Sequence, residues 1–105
     1  MYYAISEQNV SWTSSANSEP VQVSCVSAGL YVPAGFSGAT ITFQRQFADG
    51  TWKTLHNASG AVSVSVTADT VLTVPDDVIK VGGLLRVVSA SSETAVGKLL
   101  PRNEV

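Results

Sequence analysis

Few side chains in this sequence are of the types that make or break bonds, and they do not gather. His56 is the only histidine and Cys25 the only cysteine. A histidine acting as general base or metal ligand needs partners at hydrogen-bonding or coordination distance. None is evident beside His56, which precedes a turn, so it is expected to pack or hydrogen-bond at a strand end. Cys25 falls on the apolar side of Val21-Gln22-Val23-Ser24-Cys25, where a thiol behaves as a small hydrophobe. A lone cysteine precludes an intrachain disulfide and a thiolate zinc cluster, which leaves the redox compartment open.

Asp76-Asp77 is the one acidic pair with a chemical look. A calcium ion takes roughly six to eight oxygen ligands, and no further acidic cluster lies nearby. The pair follows Pro75, so it is expected to place carboxylates at the positive end of a short helical turn. Arg45 interrupts an apolar register between Phe43 and Phe47, and an inward guanidinium must find a carboxylate or backbone carbonyls unless the strand twists it outward; a structural pairing is expected rather than a partner contact. Asn9-Val10-Ser11 and Asn57-Ala58-Ser59 fit a glycosylation pattern too common by chance to carry weight. No Gly-rich phosphate loop, Ser-His-Asp set or paired-carboxylate site is present. These features predict no catalytic residue, no metal and no cofactor, and so a protein that is not an enzyme.

Positioning any of these groups falls to strands, because the hydrophobic pattern has period two. In Ala39 to Phe47, Ala39, Ile41, Phe43 and Phe47 point one way while Thr40, Thr42, Gln44 and Gln46 point the other. Val62, Val64 and Val66 alternate with Ser63, Ser65 and Thr67, and Val21, Val23 and Cys25 with Gln22 and Ser24. Asp49-Gly50 is a strong short hairpin signal and Asn57-Ala58-Ser59-Gly60 a second turn. Residues 39 to 66 therefore predict a three-stranded meander. Further strands are expected at Val71 to Val74, Leu84 to Ser89 and Val96 to Leu100, with a weaker one near Tyr2 to Ile5 or Val10 to Thr13. One short helical turn follows Pro75 and stops at Gly82-Gly83. The sum is an all-β antiparallel sandwich or jelly roll of seven to eight strands. Its expected core is Ile41, Phe43, Phe47, Val62, Val64, Val66, Leu85 and Val87.

Length and composition agree with one domain over residues 1–105. A chain of this size buries roughly 65% of its unfolded surface, enough to fold without disulfides or metal. Charged residues make up 13% and the net charge is −2, with the six cations scattered. Phosphate binding needs a concentrated basic face, so nucleic acid is not an expected partner. The apolar runs are far shorter than a membrane span, and the N-terminus shows no basic segment followed by an apolar one. A soluble, unprocessed chain without a membrane partner is expected.

Several motifs follow one another in order: Val32-Pro33-Ala34-Gly35-Phe36, Ala39-Thr40-Ile41-Thr42-Phe43-Gln44, Asp49-Gly50-Thr51-Trp52, and Asn57-Ala58-Ser59-Gly60. A Val/Ser/Thr strand comes next, then Leu72-Thr73-Val74-Pro75-Asp76-Asp77 and Gly83-Leu84-Leu85-Arg86-Val87-Val88-Ser89. In their order and spacing, Tyr31 to Ser89 resembles short virion-associated proteins of phages, prophages and gene-transfer agents. The resemblance implies a jelly-roll module that decorates or cements a capsid, or serves as a head accessory subunit. Tail, neck or fibre placement is the close alternative. It further implies residence in the phage particle, with host cytoplasm as the place of assembly, and the major capsid protein and other virion proteins as partners. A carbohydrate-binding β-sandwich, with Trp52, Tyr31 or Tyr3 as an aromatic platform, is the competing function.

Residues 1–20 fit this pattern least. They form either edge strands of the domain's own sheets or an arm that pairs with a neighbouring subunit through backbone hydrogen bonds. Tyr2, Tyr3, Trp12 and Trp52 are the candidate subunit or capsid contacts, since Tyr and Trp are enriched where binding energy concentrates. Repetition on a particle predicts self-association as a symmetric dimer or trimer.

Overall fold

The computed structural model describes the backbone of residues 2–4 and 7–104 and the side chains of residues 7–102. Every pairing between its strands is antiparallel: β1 (Tyr2–Ala4), β2 (Gln8–Asn17), β3 (Val21–Val23), β4 (Ser27–Val32), β5 (Thr40–Gln46), β6 (Trp52–Thr54), β7 (His56–Asn57), β8 (Gly60–Ala61), β9 (Ser63–Ser65), β10 (Thr70–Thr73) and β11 (Gly83–Glu104). Among the described residues one helix, α1 (Asp76–Val81), lies between β10 and β11. The all-β class and the single short helix match the sequence expectation. The strand segments are more numerous than the seven or eight expected because several are only two or three residues long.

Strand β11, 22 residues long, organises the molecule. Residues 83–89 pair with β5 on one edge and β3 on the other. Residues 93–104 pair with β2 and β4, and at the end with β1. The expected strands Leu84 to Ser89 and Val96 to Leu100 are thus two parts of one strand. Register shifts on either side of Glu93 mark the bend between them, as bulges do where a strand passes from one leaf of a fold to another. Both leaves face one interior, where Leu85 and Val87 meet Leu99, Leu30, Phe43 and Val78.

The alternation that predicted the strands also fills this core. Ile41 and Phe43 of β5, Val21 and Val23 of β3, Val62, Leu85 and Val87 are buried as expected. Phe47 is not: β5 ends at Gln46, Phe47 opens the hairpin turn, and its side chain is 49% exposed. Its N–H bonds Thr51 O and its carbonyl accepts from Gly50, whose φ of +89° suits glycine at the end of this turn. Val64 and Val66 are only half-buried against the core, because β9 lies at the sheet edge. Residues 39 to 66 are not a simple meander either. Strands β6 and β9 both pair with β5, one after the other along the edge away from β11, and the hairpin β7–β8 projects between them.

The N-terminal segment is part of the domain's own sheet. Strand β2 pairs with β11 from Gln8↔Leu99 to Asn17↔Val88 and turns Val10 and Trp12 inward. Trp12 is 2% exposed, packs edge-on against Phe36 at 5.0 Å and donates Nε1–H to Ala16 O. It is therefore a core residue and not a contact. Strand β1 pairs with residues 102–104; the side chains of Tyr2 and Tyr3, and Ile5 altogether, lie outside the described residues.

Candidate interaction surface

The framework beneath the surface is fixed by a carboxylate that sequence reasoning missed. Glu93 is 3% exposed at the bend of β11. Its Oε1 accepts from the Ser37 N–H at 2.9 Å, and its Oε2 from the Gly38 N–H at 2.8 Å and the Ser89 hydroxyl at 2.7 Å. The Ser37 hydroxyl adds contacts at 3.1 and 3.2 Å. Burial pushes the carboxyl pKa up, but the bonds from Ser37, Ser89 and Gly38 outweigh it and hold Glu93 below its ordinary value. A side chain at Gly38 would collide with the Ser89 hydroxyl, so the close approach requires glycine. The network ties the loop before β5 to the bend of β11. The only local signal is a lone carboxylate in Ser89-Ala90-Ser91-Ser92-Glu93, which otherwise reads as a polar loop.

On the outer face of the β3–β11–β5–β6 leaf, Gln44 lies opposite both Arg86 and Thr54, and Gln46 opposite Trp52. The Arg86 guanidinium stacks on the Trp52 ring, 4.4 Å from its centroid, while its Nε–H donates to Gln44 Oε1 at 2.7 Å. Gln44 Nε2 in turn donates to Thr54 Oγ1 at 3.3 Å. Trp52 and Arg86 are both half-exposed. The arrangement holds an indole and a guanidinium, the side chains most often found at binding hot spots, beside the Gln44 amide and the Thr54 hydroxyl, with the half-exposed Leu84 and Val88 flanking Arg86 along β11.

The other leaf carries a groove of about 480 Å³ across β10, β4 and the end of β11. Its floor is Gly29, opposite Thr73 on one side and Leu100 on the other, and Val71 and Arg102 help to wall it. Tyr31, in the adjoining row of this leaf, donates its hydroxyl to Asp69 Oδ1 at 2.7 Å. That bond, with burial and the Asp69 charge, pushes the phenol pKa up.

The remaining chemical candidates stay apart. His56 is exposed, with Nδ1 at 3.1 Å from Thr54 O. Cys25 is half-buried, and burial pushes its thiol up. Asp76 and Asp77 open α1, where Asp77 accepts from Asn57 Nδ2 at 3.1 Å. Arg45 finds backbone carbonyls, those of Gln46 at 2.7 Å and of Gly82, the residue that ends α1, at 3.3 Å. Among the described residues no group of three His, Cys, Asp or Glu side chains could hold a metal ion. Trp52 and Tyr31 lie on different leaves and do not form a common platform. No protein-family model matches the chain, and neither a curated protein nor a solved structure matches it.

Proposed function

We propose that this chain is a non-enzymatic structural subunit of a phage or phage-like particle, a capsid decoration, cement or head accessory protein that docks through the face around Trp52. The observation that carries this reading is the Arg86–Trp52 stack, held by Gln44 half-exposed on the outer face of the sheet. The ordered motifs support it by what they build. Val32 to Phe36 makes the turn that buries Phe36, Ala39 to Gln44 supplies most of β5, Asp49 to Trp52 leads from the hairpin into β6, and Gly83 to Ser89 is the first part of β11. Motifs that supply framework positions suit a role in assembly, where a rigid scaffold presents a surface. Separation of Trp52 from Tyr31 takes support from the carbohydrate-binding alternative. Placement in tail, neck or fibre uses the same surface and differs in the partner.

Particle binding by the purified chain tests the proposal. Particles stripped of the chain should rebind the wild type in a pelleting assay and lose at least about tenfold in affinity for Trp52→Ala or Arg86→Ala, as hot-spot truncations do. Equal binding by both folded variants would remove this face from the proposal.

A further inference from the structure

Among the described residues, strand β10 ends its sheet with its outer edge unpaired. It pairs with β4 alone, Thr70↔Val32 through Thr73↔Gly29, and the next residue, Val74, donates its N–H to Ala28 O at 2.9 Å. Hydrogen-bonded and non-bonded pairs alternate in an antiparallel ladder. Leu72 and Thr70 therefore also turn their backbone groups toward β4, and Val71 and Thr73 turn theirs outward. The side chains divide by the same alternation: Val74 is buried and Leu72 packs on the core, while Val71 is 58% exposed. Natural edges are blunted by Lys, Pro or bulges, and Thr70-Val71-Leu72-Thr73 contains none. By contrast, the β6–β9 edge is interrupted by the projecting hairpin β7–β8.

We infer that β10 pairs with β10 of a second copy, antiparallel about a two-fold axis through Leu72. This inference is independent of the particle reading, because it concerns the isolated chain. The occupant and the register follow from the edge itself. Face matching requires that outward side chains meet outward side chains. An axis at Leu72 sets Val71 opposite Thr73 of the second copy and Thr73 opposite its Val71, so every outward N–H and C=O of the strand finds a partner. With the axis at Val71, Thr73 would meet Asp69 of the second copy, whose φ of +58° takes it out of the extended conformation. With the axis at Thr73, Val71 would meet Pro75 of the second copy, which has no N–H to give. The edge is thus self-complementary in one register. Asp69 lies beyond the paired stretch, opposite Pro75 of the second copy, and its carboxylate accepts from the Tyr31 hydroxyl of its own protomer. Each Val71 would leave solvent beside Thr73 of the other copy, and the groove over Gly29 and Leu100 would continue across the axis. So short a strand gives a small interface, hence a weak, concentration-dependent dimer.

Sedimentation equilibrium over a concentration series tests the pairing. Thr73→Pro removes an outward N–H and leaves the bonds to β4 in place, a substitution that edge strands tolerate. Val71→Lys installs the charge that natural edges use. Wild type should dimerise, and each variant should weaken the dimer at least about tenfold while keeping the wild-type circular dichroism spectrum. In amide NMR, Val71 and Thr73, whose N–H groups gain partners, should shift with concentration more than Leu72, whose N–H faces β4 in both states. If Thr73→Pro fails to fold, Val71→Lys decides alone. A chain that stays monomeric at every concentration, or a dimer unmoved by Val71→Lys, overturns the inference.

Discussion

Glu93 shows how one side chain can fix a fold without doing chemistry. A buried carboxylate is costly unless its lone pairs are satisfied, and here two backbone N–H groups and two hydroxyls satisfy them. Glu93→Gln would put an amide donor against the Gly38 or Ser37 N–H, and a loss of roughly 2–4 kcal/mol in urea unfolding is expected. The pH dependence has a definite sign. Because the folded carboxyl titrates below its ordinary value, its contribution is fully present above the unfolded pKa and is lost as pH falls through the folded one. Stability should therefore drop on acidification below about pH 4, and the Glu93→Gln variant should lose part of that slope. A variant as acid-sensitive as wild type would contradict the assignment. On the surface, a double-mutant cycle on Trp52 and Arg86 should give a coupling of about 0.5–1 kcal/mol, the size of an exposed cation–π pair.

At the level of elements, legibility followed side-chain alternation. Strand β5 was plain because Ile41 and Phe43 alternate with Thr40, Thr42 and Gln44. Strand β4 was missed, since Ser27, Ala28 and Gly29 give almost no contrast between its faces, although Ala28, Leu30 and Val32 are all buried. The unity of β11 was hidden by its polar bend, whose meaning depends on Ser37 and Gly38, more than fifty residues away along the chain. Strand β2 gives little alternation to read, because Val10 and Trp12 are its buried apolar residues among hydroxyls and amides. Their burial predicts the outcome of a truncation: deletion of residues 1–12 removes Val10 and Trp12 from the core and should abolish the cooperative thermal transition. Trp12→Ala alone should cost about 3–5 kcal/mol. A truncated chain that melts like wild type would restore an arm that the observed pairing with β11 does not support.

At the scale of the whole molecule, a bent antiparallel sheet encloses one apolar core and leaves two surfaces with different characters. One leaf presents Trp52 and Arg86 on its outer face, and the other ends in the open edge of β10 beside the Gly29 groove. Together they would let a small subunit both dock and repeat, the combination a decoration protein needs to gain avidity. Neither surface was fully legible beforehand. Trp52 stood out by type and by its place beside a turn, but its partner Arg86 lies 34 positions further along and meets it only across β5. Quantitative mass spectrometry of gradient-purified particles from cells that encode the chain tests the central claim most directly. The account predicts the chain in intact particles at a fixed, many-copy ratio to the major capsid or another structural protein; its absence from particles, with the chain abundant in the lysate, would contradict it.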